Sequence, residues 1–374
     1  MTGFLIPTAV RRAEHVAPRT ASETDTAADV VVLVPMYRES LETCERSAAG
    51  MLRLDHPRER ITVLWLVPEG DEPSQLPART AFARLATAGF DPRSRVRPVP
   101  DMSPKGRALN HVLTDLDAYD VVLFLDADVV PGPTQVTEAL QAVGEGVDIV
   151  EAFEFHESRN WVGRAIAAEN ATHLASMMFL QKHLKTAFLQ GSSLYVSTAF
   201  LEKAGGFIED EAEECFVWSM FASRLRPRIR FLANVSYGTP VDELPTALRQ
   251  RVRWLRGQLA ALRHLAAPEL TPAGRLALGV TAASIAAQLT VLPALVLSRR
   301  GSRTRHIALA AVLLEAVRIA HTAATPEWRR LGIGDGWCTL LAFELVQGIS
   351  GWRAVLELVT QHKVWHSVRD SGHI

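Results

Sequence analysis

The stretch Val121–Pro133, VVLFLDADVVPGP, sets five apolar residues against two carboxylates, Asp126 and Asp128, and then a proline-glycine-proline turn. A run that short, rich in branched and aromatic side chains and closed by turn formers, predicts a strand buried on both faces. Three companions precede it: DVVVLVP from Asp29, ITVLWLVP from Ile61, and the weaker RVRPVP from Arg95. Helical patterns, such as Leu41 to Leu52 and Gly106 to Leu116, separate them. Apolar strands alternating with helices predict an α/β fold around a parallel sheet. Ligands of such sheets lie beyond the carboxyl ends of the strands, and Asp126 and Asp128 stand at one of those ends.

If the backbone stays extended through Ala127, both carboxylates fall on one side and repel each other unless a cation or donors join them. A divalent ion such as Mg2+ or Mn2+, shared with phosphate oxygens, meets that need. The plainer alternative is an Asp that forms a turn or caps a helix.

With 374 residues, 48% of them hydrophobic, the chain can bury one large core and an appendage. A net charge of -1 with mixed signs offers no broad basic face, so nucleic acid is not an expected partner. Cys44, Cys215 and Cys338 are odd in number and far apart, which fits buried thiols in a reducing compartment. Residues 1–28 contain no signal-peptide pattern and read as a flexible leader.

Further clusters bear on chemistry. SPKGRALN, from Ser103 to Asn110, places Lys105 and Arg107 at a helix start, an arrangement suited to anions. FLQGSSLYV holds Gly191, Ser192 and Ser193, where backbone can approach a ligand or simply turn. AGGFIEDEAEECF carries Asp210, Glu211, Glu213 and Glu214 into an apolar helix, where one carboxylate, partly buried, could accept a proton. RQRVRWLRG gathers Gln250, Arg251, Arg253, Trp254 and Arg256 on one helix.

VLVPMYRE, KGRALN, DAD, GSS, GGF, an acidic pair and QRVRW occur in the order and approximate spacing of family two inverting glycosyltransferases, and over Val31–Gly257 the chain resembles them. The resemblance is nearest to the membrane-associated branch related to cellulose, chitin and hyaluronan synthases. It implies a GT-A fold, Rossmann-like, with C-terminal apolar helices. It also implies transfer of a sugar from a nucleoside diphosphate, UDP in the first instance, to a lipid-linked or polysaccharide hydroxyl. By that resemblance Pro35, Tyr37 and Glu39 belong to the nucleotide-binding loop, and Glu69 or Asp71 holds the base. Lys105 approaches base and phosphates, Asp126 the ribose and diphosphate, and Asp128 the metal. Ser192, Gln250, Arg253 and Trp254 fall on the acceptor and diphosphate side. The family's Thr-Glu-Asp triplet reads Ala212, Glu213, Glu214 here, which makes Glu214 the expected base.

Leu276–Leu297 is 22 residues without a charge, long enough to cross a bilayer. His306–Ala324, interrupted by Glu315 and Arg318, and Trp337–Ser350 are weaker candidates. Arg299, Arg300, Arg303 and Arg305 follow the first candidate and prefer the cytoplasm, where nucleotide sugars also are. A re-entrant or interfacial hairpin broken at Pro293 reconciles the two. The expected organisation is a leader (1–28), a catalytic domain (29–240), an acceptor-side helical segment (241–274) and a membrane-associated tail (275–374). The expected location is the cell membrane with the catalytic domain in the cytoplasm. Two other classes remain at this level: a silent sugar-nucleotide-binding scaffold, and a nucleotidyltransferase, which lacks support because PMYRES has no glycine.

Overall fold

The computed structural model describes residues 28–102, 104–158, 160–186, 189–324 and 336–360. The leader up to residue 27, Ser103 and the last fourteen positions, 361–374, lie outside the described residues. Contacts divide the chain into two compact units, one built from the described residues of 14–155 and 188–239, the other from those of 156–187 and 240–374.

The first unit holds a seven-stranded sheet in the order β3-β2-β1-β4-β6-β5-β7. Its strands are β1 (Val30–Pro35), β2 (Ile61–Pro68), β3 (Arg95–Val99), β4 (Val121–Leu125), β5 (Ile149–Phe155), β6 (Ser193–Ser197) and β7 (Ile229–Tyr237). The helices of this unit are α1 (Leu41–Met51), α2 (Glu72–Ala86), α3 (Lys105–Leu113), α4 (Gln135–Gly144), α6 (Thr198–Ala204) and α7 (Glu214–Ala222); α5 (Trp161–Leu184) belongs to the other unit.

The parallel half is the one the apolar runs predicted. β1 lies between β2 and β4, and β3 pairs with β2, all parallel. All five residues of β4 are buried. The sheet is not parallel throughout, however, because β6 runs antiparallel to both β4 and β5. That reversal has a positional effect. With Leu125 opposite Ser193, the amino end of β6 meets the carboxyl end of β4, so the Gly191–Ser193 segment arrives beside Asp126.

Two sequence motifs prove to be one packing device. Asn110 of α3 donates through Nδ2 to the Phe207 carbonyl at 2.8 Å and accepts from the Phe207 amide at 2.8 Å. A Cβ at Gly206 would sit 2.5 Å from Asn110 Oδ1, so ALN and GGF are matched sterically. Phe207 then meets Phe124 edge-to-face at 5.2 Å and Trp218 at 5.5 Å, contacts worth about 0.5–1.5 kcal/mol each beyond area burial.

The second unit is helical: α5 with α8 (Leu244–Ala261), α9 (Pro272–Leu297), α10 (Arg303–Ala324) and α11 (Gly336–Val359). Helices α9 and α10 match two of the three apolar segments expected from the sequence, and among the described residues both are long and apolar enough to cross a membrane. The third segment falls in α11, whose Leu340, Phe343 and Ala354 are buried. Pro293 does not break α9, which continues to Leu297. A proline there cannot donate to the carbonyl four residues back, and Trp352 Nε1 of α11 donates to that Leu289 carbonyl at 3.0 Å instead. Gly348 and Gly351 permit the approach, since a Cβ at either would lie 2.8 Å from Gln288 O or from Leu289 Cδ2.

Candidate active site

The donor-side candidates follow the carboxyl ends of parallel strands. Pro35 closes β1, and Tyr37 and Glu39 follow it. Arg38 takes a left-handed conformation, φ 52°, and its amide donates to Ser74 Oγ at 2.8 Å. Ser74 in turn donates to Asp71 Oδ2 at 2.5 Å, and Arg38 reaches Asp71 at 3.5 Å. Of the two base-holding candidates, Asp71 is thus tied to the loop after β1. Glu69 is exposed, its amide bonded to the Val99 carbonyl at 2.9 Å.

Lys105, Asp126 and Glu214 converge. Lys105 is the first residue of α3, and its Nζ lies 2.6 Å from Asp126 Oδ1 and 3.1 Å from Glu214 Oε1. Their side chains are 21%, 39% and 9% exposed respectively, so the ammonium is sandwiched between an open carboxylate and a buried one. Gly106 allows this closeness: a Cβ there would lie 3.2 Å from Phe207 Cβ and 3.4 Å from Glu214 Cβ. Burial works against the Lys105 charge, but Asp126, Glu214 and Cys215 outweigh it and hold the ammonium well above the ordinary lysine value. Cys215 Sγ lies 3.6 Å from Glu214 Oε1, and burial followed by that neighbouring carboxylate keeps the thiol protonated.

The backbone does not stay extended through Ala127. Residues 127 and 128 form a turn in which the Val129 amide donates to the Asp126 carbonyl at 3.0 Å, so strand alternation does not place the two carboxylates. Arg46 of α1 fixes the turn by donating to the Asp128 carbonyl and to Thr239 Oγ1. Asp128 itself is half-buried. Among the described residues no group of three or more potential protein ligands surrounds a cation position. A hard cation that takes most of its oxygens from water and phosphates needs only one or two carboxylates, and the half-buried Asp128 is the residue that would supply one.

Ser192 is buried, and its hydroxyl has no hydrogen-bond partner among the described residues. Its carbonyl accepts the Asp126 amide at 3.0 Å. The remaining candidates, Gln250, Arg253 and Trp254, stand on α8 of the helical unit. In the same motif Arg251 is 2% exposed, paired with Glu169 of α5 and stacked 4.3 Å over Trp254. Gln347 of α11 donates to Glu169 Oε1 at 2.7 Å. Sequence reasoning missed this partly buried pair because its members are 82 residues apart. It also missed Glu151 on β5, which is 1% exposed; an acid inside IVEAF was the available signal.

A mixed sheet with carboxylates and a lysine gathered at its parallel carboxyl edge defines a nucleotide-sugar transferase domain of the GT-A fold. The family described as "Glycosyltransferase like family 2" matches residues 27–257, and the chain belongs to it. No curated protein sequence matches the chain. Among solved structures it is similar to the mannosyltransferase PcManGT from Pyrobaculum calidifontis, with 16% identity, 92% of each chain covered and a TM-score of 0.54. It also matches S. aureus TarS 1-349 in complex with UDP-GlcNAc, with 13% identity, 90% of this chain and 93% of that one covered, and a TM-score of 0.48.

Proposed function

We propose that the protein is an inverting, metal-dependent glycosyltransferase that moves a sugar from a nucleoside diphosphate, UDP in the first instance, to a hydroxyl of a lipid-linked or polysaccharide acceptor. The convergence of Lys105 on Asp126 and Glu214 carries this reading. Glu214, 3.1 Å from the Lys105 ammonium, takes the proton of the acceptor hydroxyl. The acceptor oxygen then bonds to the anomeric carbon as the bond from that carbon to the diphosphate breaks, and the configuration inverts. Lys105 adds fixed positive charge near the departing diphosphate. Asp128 would hold a divalent cation, which when bound supplies charge neutralisation to the leaving group, and Asp126 is assigned to the ribose and diphosphate side. PcManGT, the structural neighbour, was solved with GDP-Man and Mn2+, which agrees with a cation of this kind.

Pro35, Tyr37, Glu39, Asp71 and Glu69 are assigned to the nucleoside, and Ser192, Gln250, Arg253 and Trp254 to the acceptor and diphosphate, on the strength of the motif resemblance. The same resemblance is our ground for placing the chain near the cellulose, chitin and hyaluronan synthase branch. Helices α9 and α10 support a cell-membrane location, with the catalytic unit in the cytoplasm where donors are made. Glu214→Gln tests the base: transfer should fall roughly 100- to 10,000-fold, with nucleotide binding and folding kept. Undiminished transfer would overturn the assignment.

A further inference from the structure

Glu151 is a buried carboxylate in the third position of β5, outside every motif that the proposed chemistry uses. Its Oε1 accepts two backbone amides, that of Gln190 at 2.6 Å and that of Gly191 at 3.1 Å. Its Oε2 is buried without a partner among the described residues. Gly191 takes φ +77°, and a Cβ there would stand 2.2 Å from Cys215 Sγ. The next residue, Ser192, accepts the Asp126 amide through its carbonyl at 3.0 Å. One side-chain oxygen therefore fixes a short segment wedged between the Asp126 turn and the Glu214–Cys215 start of α7. Two amides pointing at one oxygen need a fixed acceptor, because a buried amide without one is costly.

We propose that Glu151 is a positioning residue that pins the Gln190–Ser192 segment against the donor-side Asp126 and the base Glu214. The inference rests on the glycosyltransferase reading of those residues. Leu194 and Phe231, its neighbours on β6 and β7, carry no charge, and among the described residues Cys215 of α7 is a titratable group close enough to interact with it, kept neutral by burial. Burial pushes the Glu151 carboxyl up to about 7, against the two amides that favour its charge. The pin therefore changes charge near neutral pH, and the two amide bonds strengthen as the carboxyl ionises.

The test compares wild type, Glu151→Gln and Glu151→Leu as full-length protein in detergent. Amide hydrogen exchange at Gln190 and Gly191 and donor turnover are read from about pH 6 to pH 8. Glutamine keeps an acceptor oxygen at the same reach, whereas leucine removes it. The expected result is at least roughly tenfold faster exchange at both amides in Glu151→Leu. Glu151→Gln should keep protection and most of the turnover but lose the step near neutral pH. Equal protection in wild type and Glu151→Leu would overturn the proposal, as would a pH profile unchanged in Glu151→Gln. If Glu151→Leu does not fold, the Glu151→Gln profile decides alone. Exchange is read without turnover, so an inactive protein whose amides behave as expected would refute the transferase reading and leave the pin standing.

Discussion

Replacing Lys105 by methionine removes one ammonium and leaves two carboxylates facing each other across the space it filled. Losing one partner of a buried ion pair costs about 3–5 kcal/mol. Glu214 is deeply enclosed, but Asp126 keeps 39% of its side chain exposed, so solvent screens its share and the expected loss is about 2–3 kcal/mol. For a unit of this size that is a fall of roughly 4–12 °C in melting temperature. The sign with pH follows from the charges. Burial pushes the Asp126 carboxyl above the usual carboxylate range and Lys105 pulls it back, so without Lys105 it moves higher still; as pH falls it takes up a proton, the repulsion is relieved and the deficit shrinks. Thermal unfolding of Lys105→Met and wild type in the same detergent, at about pH 8 and about pH 4, measures both. Wild-type stability at pH 8, or a deficit that grows as pH falls, would refute the reasoning.

Gly191→Ala meets a left-handed backbone and the Cys215 sulfur together. Strain of about 1–2 kcal/mol and overpacking of about 1–3 kcal/mol should lower stability, and adding Cys215→Ala should recover part of the loss in chemical denaturation. Trp352→Phe strips the Leu289 carbonyl of its donor and should cost about 1 kcal/mol. Pro293→Ala, which restores an in-helix donor, should make that change nearly neutral, and a denaturation cycle with no coupling would show that the indole bond does not matter.

The parallel half of the sheet was legible because its strands are short apolar runs separated by helical patterns. Lys105, Asp126 and Glu214 were legible as candidates because polar residues at strand ends and helix starts are informative in such sheets. Their meeting point was not, since no local pattern relates positions 105, 126 and 214, and the arrival of Gly191–Ser193 beside Asp126 was hidden too, because it depends on β6 running backwards beside β4 and a strand's sequence does not encode its direction. The turn at Ala127 and the continuation of α9 through Pro293 were also hidden. In both places a distant side chain, Arg46 in one and Trp352 in the other, satisfies groups that local rules leave open. Glu151 escaped notice for a related reason: its role comes from two amides about forty residues away.

The most direct measurement is release of nucleoside diphosphate from a panel of UDP- and GDP-sugars by detergent-solubilised protein, with and without Mg2+ or Mn2+, beside Asp128→Ala. Release from one donor that needs the cation and disappears in a folded Asp128→Ala protein is the predicted result. Undiminished release by Asp128→Ala, or no donor binding by the wild type across the panel, would contradict the account.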